Sequence, residues 1–239
     1  MSDLLAWAVD AHGGTHRWDE LQTLQADLTI SGYTFVVKQQ AEVFRQVTVS
    51  AQLHEERIEL DPASFEGRHT VFDGRQLVMH DAACRPVEVW DDPAAQFSGH
   101  SFETPWTKMH AAYFSSEALW TYLTMPFLFT YPGFAVEEIE PWHEDDEVWR
   151  SLRVTFPDYI VSHHREQIAR FGPDGLLRRH DYVVDILPGA AGANYAHGYR
   201  NIDGIMFPTQ RRIYAYDEVF VKVPDPILVA FDILDISLQ

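Results

Sequence analysis

Alternation of apolar and polar residues with a period of two is the feature that most limits what this chain can become. In "LQTLQADLTI" Leu24, Ala26, Leu28 and Ile30 alternate with Gln25, Asp27 and Thr29, the pattern of a strand with one buried and one wet face. The same texture returns after Gly133 in "FAVEEIEPW", "EVWRSLRVTF", "REQIARF", "LLRRHDYVVDI", "ANYAHGYRNI", "IMFPTQRRIYAY" and "ILVAFDILDISL". Several of these are separated only by short turn signals, Asp145-Asp146, Pro173-Asp174-Gly175, Pro188-Gly189 and Asp203-Gly204. Neighbouring strands are therefore predicted to run antiparallel. Upstream, "YTFVVKQQAEVFRQVTVSAQL" and "HEERIEL" are β-prone, "HTVFDGRQLVMHD" predicts a hairpin turned at Asp73-Gly74, and "CRPVEVWDDPAAQF" adds one more strand. A sheet of about ten strands rarely stays flat and open, so it is expected to curl around whatever helices the chain supplies.

Helical signals are few. Leu4, Leu5, Ala8 and Val9 recur at helical spacing, Ser2 can cap the start, and Gly13 and Gly14 end the run. In the middle, Thr104 is predicted to cap a helix starting at Pro105, and Ser115 or Ser116 to cap a second ending near Pro126. Leu119, Tyr122, Leu123 and Met125 predict that the second packs on the sheet. No repeat, low-complexity tract or linker divides the sequence, which predicts a single α+β domain over residues 1–239.

Charge narrows the partners. Thirty-six Asp and Glu against eighteen Lys and Arg give a net charge of −18, which repels phosphate backbones and argues against nucleic acid. Cys84 is the only cysteine, so an internal disulfide is impossible and a reducing cytoplasm fits. Asp3 and Asp10 interrupt the features of a secretory signal. The most apolar stretch, "LWTYLTMPFLFTYPGF", is broken by Pro126 and Pro132, so no membrane span is predicted.

The segment "DGLLRRHDYVVDI" places Arg178, Arg179, His180, Asp181 and Tyr182 in a row. On a strand, adjacent side chains face opposite ways, so His180 and Asp181 cannot form a dyad along it. His180 and Tyr182 share a face, roughly 7 Å apart, and can line one pocket. By the same alternation the next strand offers Tyr195, His197 and Tyr199. His180, Tyr182, Tyr195 and His197 are thus the candidates for acid–base chemistry, imidazole as base and phenols as donors. The alternative is that they satisfy one another across strands. Around the central helices, Trp106, Met109, Tyr113, Phe114 and Trp120 belong to an aromatic and Met set richer than a plain core needs. They are candidate ligand contacts, with Arg178 a possible anion anchor. His12 with His16, and His163 with His164 and Glu166, lack the spacing of metal sites; His163 and His164 are expected in a surface loop, and neither a metal nor a cofactor is predicted. "EPWHEDDE" reads as a solvated turn, and no nucleophile elbow surrounds Ser115 or Ser116.

"AHGG", "ETPW", "AYFSSEALWTYLTMPFLF", "FPDYIVSHHREQ", "DGLLRRHDY" and "GIMFPTQRR", in that order along the chain, resemble an uncharacterised bacterial family with the fold of the lipoprotein carriers LolA and LolB. That resemblance implies a strongly curved antiparallel half-barrel whose concave face is closed by helices over an apolar cavity. The same half-barrel also serves a cofactor-independent enzyme of violacein biosynthesis, so fold leaves carrier and catalyst open. The expected function is a cytoplasmic protein holding an apolar or aromatic small molecule, a lipid or a biosynthetic intermediate. The alternatives are a cofactor-independent cyclase, isomerase or lyase, and a protein-interaction module.

Overall fold

The alternating stretches pair into a 13-stranded antiparallel sheet. A computed structural model describes residues 2–239. The strands are β1 (Thr23–Ser31), β2 (Val47–Gln52), β3 (Arg57–Pro62), β4 (His69–Phe72), β5 (Leu77–His80), β6 (Pro86–Trp90), β7 (Ala135–Glu144), β8 (Glu147–Thr155), β9 (Glu166–Phe171), β10 (Leu177–Val183), β11 (Ala191–Ile202), β12 (Ile205–Tyr214) and β13 (Val229–Leu238). Their order is β6-β5-β4-β3-β2-β1-β13-β12-β11-β10-β9-β8-β7. Spatial neighbours are thus sequence neighbours everywhere except at the centre, where the first and last strands pair, and the consecutive β6 and β7 lie at opposite edges.

Sequence periodicity predicts about ten strands, and thirteen form. The Asp73-Gly74 hairpin is present between β4 and β5, with Asp73 Oδ1 accepting from the backbone of Arg75 and Gln76. Tyr33–Val37, read as β-prone, is instead a helix (α3). Gly32, at φ 124°, turns the chain out of β1, and the amides of Tyr33 and Thr34 bond to the carbonyls of Ile227 and Leu228. Those tertiary bonds outweigh the β-propensity of Thr34, Val36 and Val37. α1 (Asp3–Ala11) begins at the expected Ser2 cap, and a short α2 (Thr15–Asp19) follows it.

The central region also departs from the expected two helices. It holds one uninterrupted helix, α4 (Lys108–Thr124), and its cap is Thr107, not Thr104. Thr107 Oγ1 accepts from the His110 amide while His110 Nδ1 accepts from the Thr107 amide, a reciprocal capping box. Between Pro105 and Pro126 no Gly or Pro breaks the run, so Ser115 and Ser116 lie inside the helix, buried. Every residue from 111 to 124 is buried, the polar Ser115, Ser116, Glu117, Thr121 and Thr124 included, so α4 lacks the single apolar stripe that marks a surface helix. Its Trp120 Nε1 donates to the Gln52 carbonyl at 2.8 Å, pinning one side of the helix to β2.

Candidate functional site

Register decides which residues of β10 to β13 face α4. His180 pairs with Asn194 and Tyr182 with Gly192; Asn194 pairs with Ile213 and Ala196 with Arg211; Arg211 pairs with Phe231. Directly opposed residues of an antiparallel pair point to the same side. His180, Tyr182, Asn194, Ala196, Arg211, Ile213 and Phe231 therefore share one face, with Arg179, Asp181, Tyr195, His197 and Arg212 on the other.

Between that first face and α4 lies a cavity of about 50 Å³. From the helix it is lined by Phe114, Ser115, Ala118, Leu119 and Tyr122, residues spaced to fall on one side of a helix. Tyr182, Gly192, Ile213, Val229 and Phe231 supply the sheet wall, and Phe102, Leu187 and Leu228 come from connecting segments. The wall is apolar but for Thr34, Ser115, Tyr122, His163 and Tyr182. Tyr182 lies flat over Gly192, where a Cβ would stand 2.9 Å from the phenol ring. The Tyr122 and Tyr182 hydroxyls hydrogen-bond to each other, and burial raises both, Tyr122 to about 12 and Tyr182 further. Both phenols are therefore neutral donors at any physiological pH.

Behind the tyrosine pair stands a buried polar group set. The His180 ring is 5.0 Å from Tyr182 and 6.1 Å from Tyr122 between centroids, and neither of its nitrogens has a partner. Burial, Arg211 and His163 hold its pKa well below the ordinary histidine value, so the ring is neutral. Arg211 donates from one terminal nitrogen to the Tyr122 carbonyl at 3.0 Å, and its guanidinium lies 4.8 Å from the Tyr122 ring centre.

His163 supplies a second polar feature. Its Nδ1 is 2.6 Å from Glu117 Oε1 and its ring lies 4.9 Å from Phe114 and 5.0 Å from Tyr182, all within the buried interior. The imidazole lines the cavity. The Glu117 carboxylate accepts from Nδ1–H, and Nε2 makes no hydrogen bond among the described residues. The segment carrying His163 is held on both sides: the His163 carbonyl accepts from Asp185, and the Val161 amide donates to Glu56.

No family model matches the sequence, and no curated protein matches it. Solved structures do. A LolA superfamily protein from Nitrosomonas europaea superposes with a TM-score of 0.56 at 13% identity, covering 98% of this chain and 92% of its own. A DUF1329 family protein from Desulfovibrio piger gives 0.56 at 13% identity, covering 100% of this chain and 94% of its own. A domain assigned to outer membrane lipoprotein sorting, from Vibrio parahaemolyticus, gives 0.53 at 9% identity, with 94% and 90% covered. The chain has the LolA-like fold. At such identities the likeness carries backbone architecture and no residue roles.

Placed in this LolA-like frame, the predicted residues separate. His180 and Tyr182 come together as expected, on the helix-facing side. Tyr195 and His197 do not join them: Tyr195 is opposite Arg179, so β11 presents Asn194 and Ala196 to the helix side instead. Alternation within a strand says nothing about the register between strands, and a one-residue difference in parity moves a whole set to the other face. Tyr199 follows Gly198 at φ 64°; its ring packs against His12, and its hydroxyl donates to the Leu177 carbonyl. Of the helix candidates, Phe114 lines the cavity. Met109, Tyr113 and Trp120 are buried elsewhere on α4, Tyr113 against Phe72 and Phe97. Trp106 packs on Phe114 and stands 5.0 Å from the Lys38 ammonium. Arg178 is tied to Asp174 at 2.9 Å and Glu147 at 3.3 Å, away from the cavity wall. His163 is buried, a correction to the expected surface loop. Among the described residues no group of three His, Cys, Asp or Glu stands together as a metal site, and no helix is long and apolar enough to cross a membrane.

Proposed function

We propose that this chain is a single half-barrel domain that binds an apolar or aromatic small molecule, lipid or biosynthetic intermediate, between α4 and the β10 to β13 face. The observation that carries the reading is the cavity wall itself, an apolar stripe of α4 facing an apolar strip of sheet with only a few polar side chains, Thr34, Ser115, Tyr122, His163 and Tyr182, the usual composition of a small-molecule site. Curling of the sheet around α4 is supported by two contacts: Tyr113 meets Phe72 of β4, and Tyr122 meets Tyr182 of β10. Counting along the strand order, β4 to β10 is seven steps, about 34 Å if flat, whereas the helix rises only about 14 Å between those tyrosines. At about 50 Å³ the cavity holds a water or two, so a ligand must part its walls. Phe102, Leu187 and Leu228, which sit outside the strands, are the parts that yield at least cost. The single, exposed Cys84 is compatible with a reducing cytoplasm.

Native mass spectrometry of the purified protein and titration with N-phenyl-1-naphthylamine test this. Wild type is expected to carry an extractable apolar molecule or to bind the dye, and Ala118→Trp, which fills the cavity, to weaken dye binding at least about tenfold. Dye binding that ignores Ala118→Trp would sink the proposal.

One observation favours a second reading, a cofactor-independent acid–base enzyme. His163, oriented by Glu117 through Nδ1, lines the cavity with Nε2 free of hydrogen bonds among the described residues, an arrangement open to a general base. It displaces His180 as the leading base, because His180 lies behind the tyrosines and holds protons weakly. Exchange of the α-protons of phenylacetone in D2O, followed by NMR, should then be faster with wild type than with His163→Gln. Equal rates would remove this reading. The interaction-module reading has exposed apolar side chains behind it, among them Tyr33, Tyr159 and Leu234, Val87 and Val89 on β6, and Val219 after β12.

A further inference from the structure

Arg211 is 1% exposed and carries its charge without a carboxylate. The groups that act on it electrostatically are Tyr199, Tyr122 and Tyr182, and one terminal nitrogen, Nη1, has no partner at all. Around it, both ring nitrogens of His180 and both amide atoms of Asn194 are also unpartnered and buried. Asn194 stands beside the Tyr122 hydroxyl without a well-aligned hydrogen bond. Five orphan polar atoms in one buried cluster are a heavy cost for a structural core, where buried polar groups are normally satisfied.

Two other buried charges show how the same chain deals with this problem. Arg179 is enclosed by Asp181, Glu144, Tyr195 and the Phe220 carbonyl. Glu56, with no cation in reach and Oε1 unpartnered, is pushed by burial to a pKa of about 8 and so becomes neutral. Arginine has no such escape, because its guanidinium does not deprotonate in proteins. His180 is neutral and offers Arg211 no counter-charge. The sequence holds 36 Asp and Glu, and among the described residues none pairs with Arg211 or acts on it.

We propose that the missing counter-charge is a carboxylate on the ligand: the site takes an apolar or aromatic molecule that ends in one carboxylate group. This inference rests on the cavity reading above and adds the chemistry of the ligand's head. The body lies along Phe114, Ala118 and Leu119, and the head enters where the Tyr122 and Tyr182 hydroxyls now bond to each other. Each hydroxyl then donates to a carboxylate oxygen instead, with the free Nη1 of Arg211 and the Asn194 amide behind them. A charge-assisted bond from a guanidinium is the strongest contact available here. One guanidinium balances one negative charge. A phosphate monoester, at about −1.5 to −2, would leave excess charge buried, which favours a carboxylate.

Competition of decanoate and decanol against N-phenyl-1-naphthylamine, for wild type and Arg211→Met, decides the matter. Wild type is expected to bind decanoate at least about tenfold more tightly than decanol, and Arg211→Met to lose that preference through weaker decanoate binding, with decanol affinity unchanged. Equal affinities in wild type, or a preference that survives Arg211→Met, overturn the carboxylate and leave the cavity reading standing. If neither compound displaces the dye, the cavity reading falls and takes this inference with it. Should Arg211→Met not fold, Tyr182→Phe and Asn194→Leu are each expected to reduce the decanoate preference severalfold. An unchanged preference in both overturns the proposal.

Discussion

Arg179 and Arg211 are both buried, lie two strands apart in one sheet, and live in opposite circumstances. On the face away from α4, Asp181 accepts from Arg179 at 2.5 Å and Arg170 at 2.9 Å, Glu144 accepts from Arg179 at 3.2 Å and from Tyr195 at 2.6 Å, and the Trp142 ring stacks 4.4 Å from Arg170. Every charge there has its opposite. On the helix side Arg211 has a carbonyl and aromatic rings. A closed ion network fixes strands to one another and leaves no valence for a ligand. An open one costs stability and persists where something outside the chain completes it. The difference teaches that the charged motif most visible in the sequence, Arg178 to Tyr182, is split by the pleat, with Arg179 and Asp181 in the ion network and His180 and Tyr182 on the helix-facing side.

The largest expected effect comes from opening the closed side. Asp181→Ala strands two buried guanidiniums and is expected to cost about 3–5 kcal/mol in urea unfolding. A loss below about 1 kcal/mol would mean that the network is no firmer than the Arg211 cluster. Next is the buried carboxyl that neutralises itself. The folded-state pKa of Glu56, about 8, exceeds its unfolded value near 4.5, so between these pH values the folded chain keeps a proton that the unfolded chain has lost. Its contribution is therefore complete below pH 4.5 and declines as pH rises through 8. From pH 6 to 8, wild type should lose about 2 kcal/mol more than Glu56→Gln does; parallel pH profiles for the two would show that Glu56 is already ionised. Arg211→Met removes no ion pair, and its unfolding free energy is expected to stay within about 1 kcal/mol of wild type. A loss like that of Asp181→Ala would reveal a hidden structural partner and erase the contrast. The smallest effect belongs to His197→Ala: exposed on the far face, it should change dye affinity by less than about twofold, and a larger change measured by titration would put that face in the site.

Much of the architecture is legible because period-two alternation is local: Leu24 to Ile30 and the strands after Gly133 announce themselves without tertiary help. One signal for Arg211 was legible too. In "IMFPTQRRIYAY" Ile205, Phe207, Thr209 and Ile213 share a parity with Arg211, so a charge sits on a largely apolar stripe. His163 carries no comparable mark, since a loop has no period from which burial can be read.

By itself the sequence determines that the dominant element of this chain is the antiparallel strand, that Ser2 caps α1, that Asp73-Gly74 turns a hairpin, and that His180 and Tyr182 share a face. Each follows from φ/ψ preference or side-chain alternation within a few residues. Only the tertiary structure decides that Tyr33–Val37 is a helix, that α4 runs unbroken with Phe114, Ala118 and Leu119 as its cavity stripe, and that Asn194 and Arg211, not Tyr195 and His197, accompany His180. These depend on register and on contacts between residues as distant as Glu117 and His163 or Tyr122 and Tyr182. A helix buried on all sides shows no preferred face in its sequence, and a strand's alternation is blind to the parity of its neighbour.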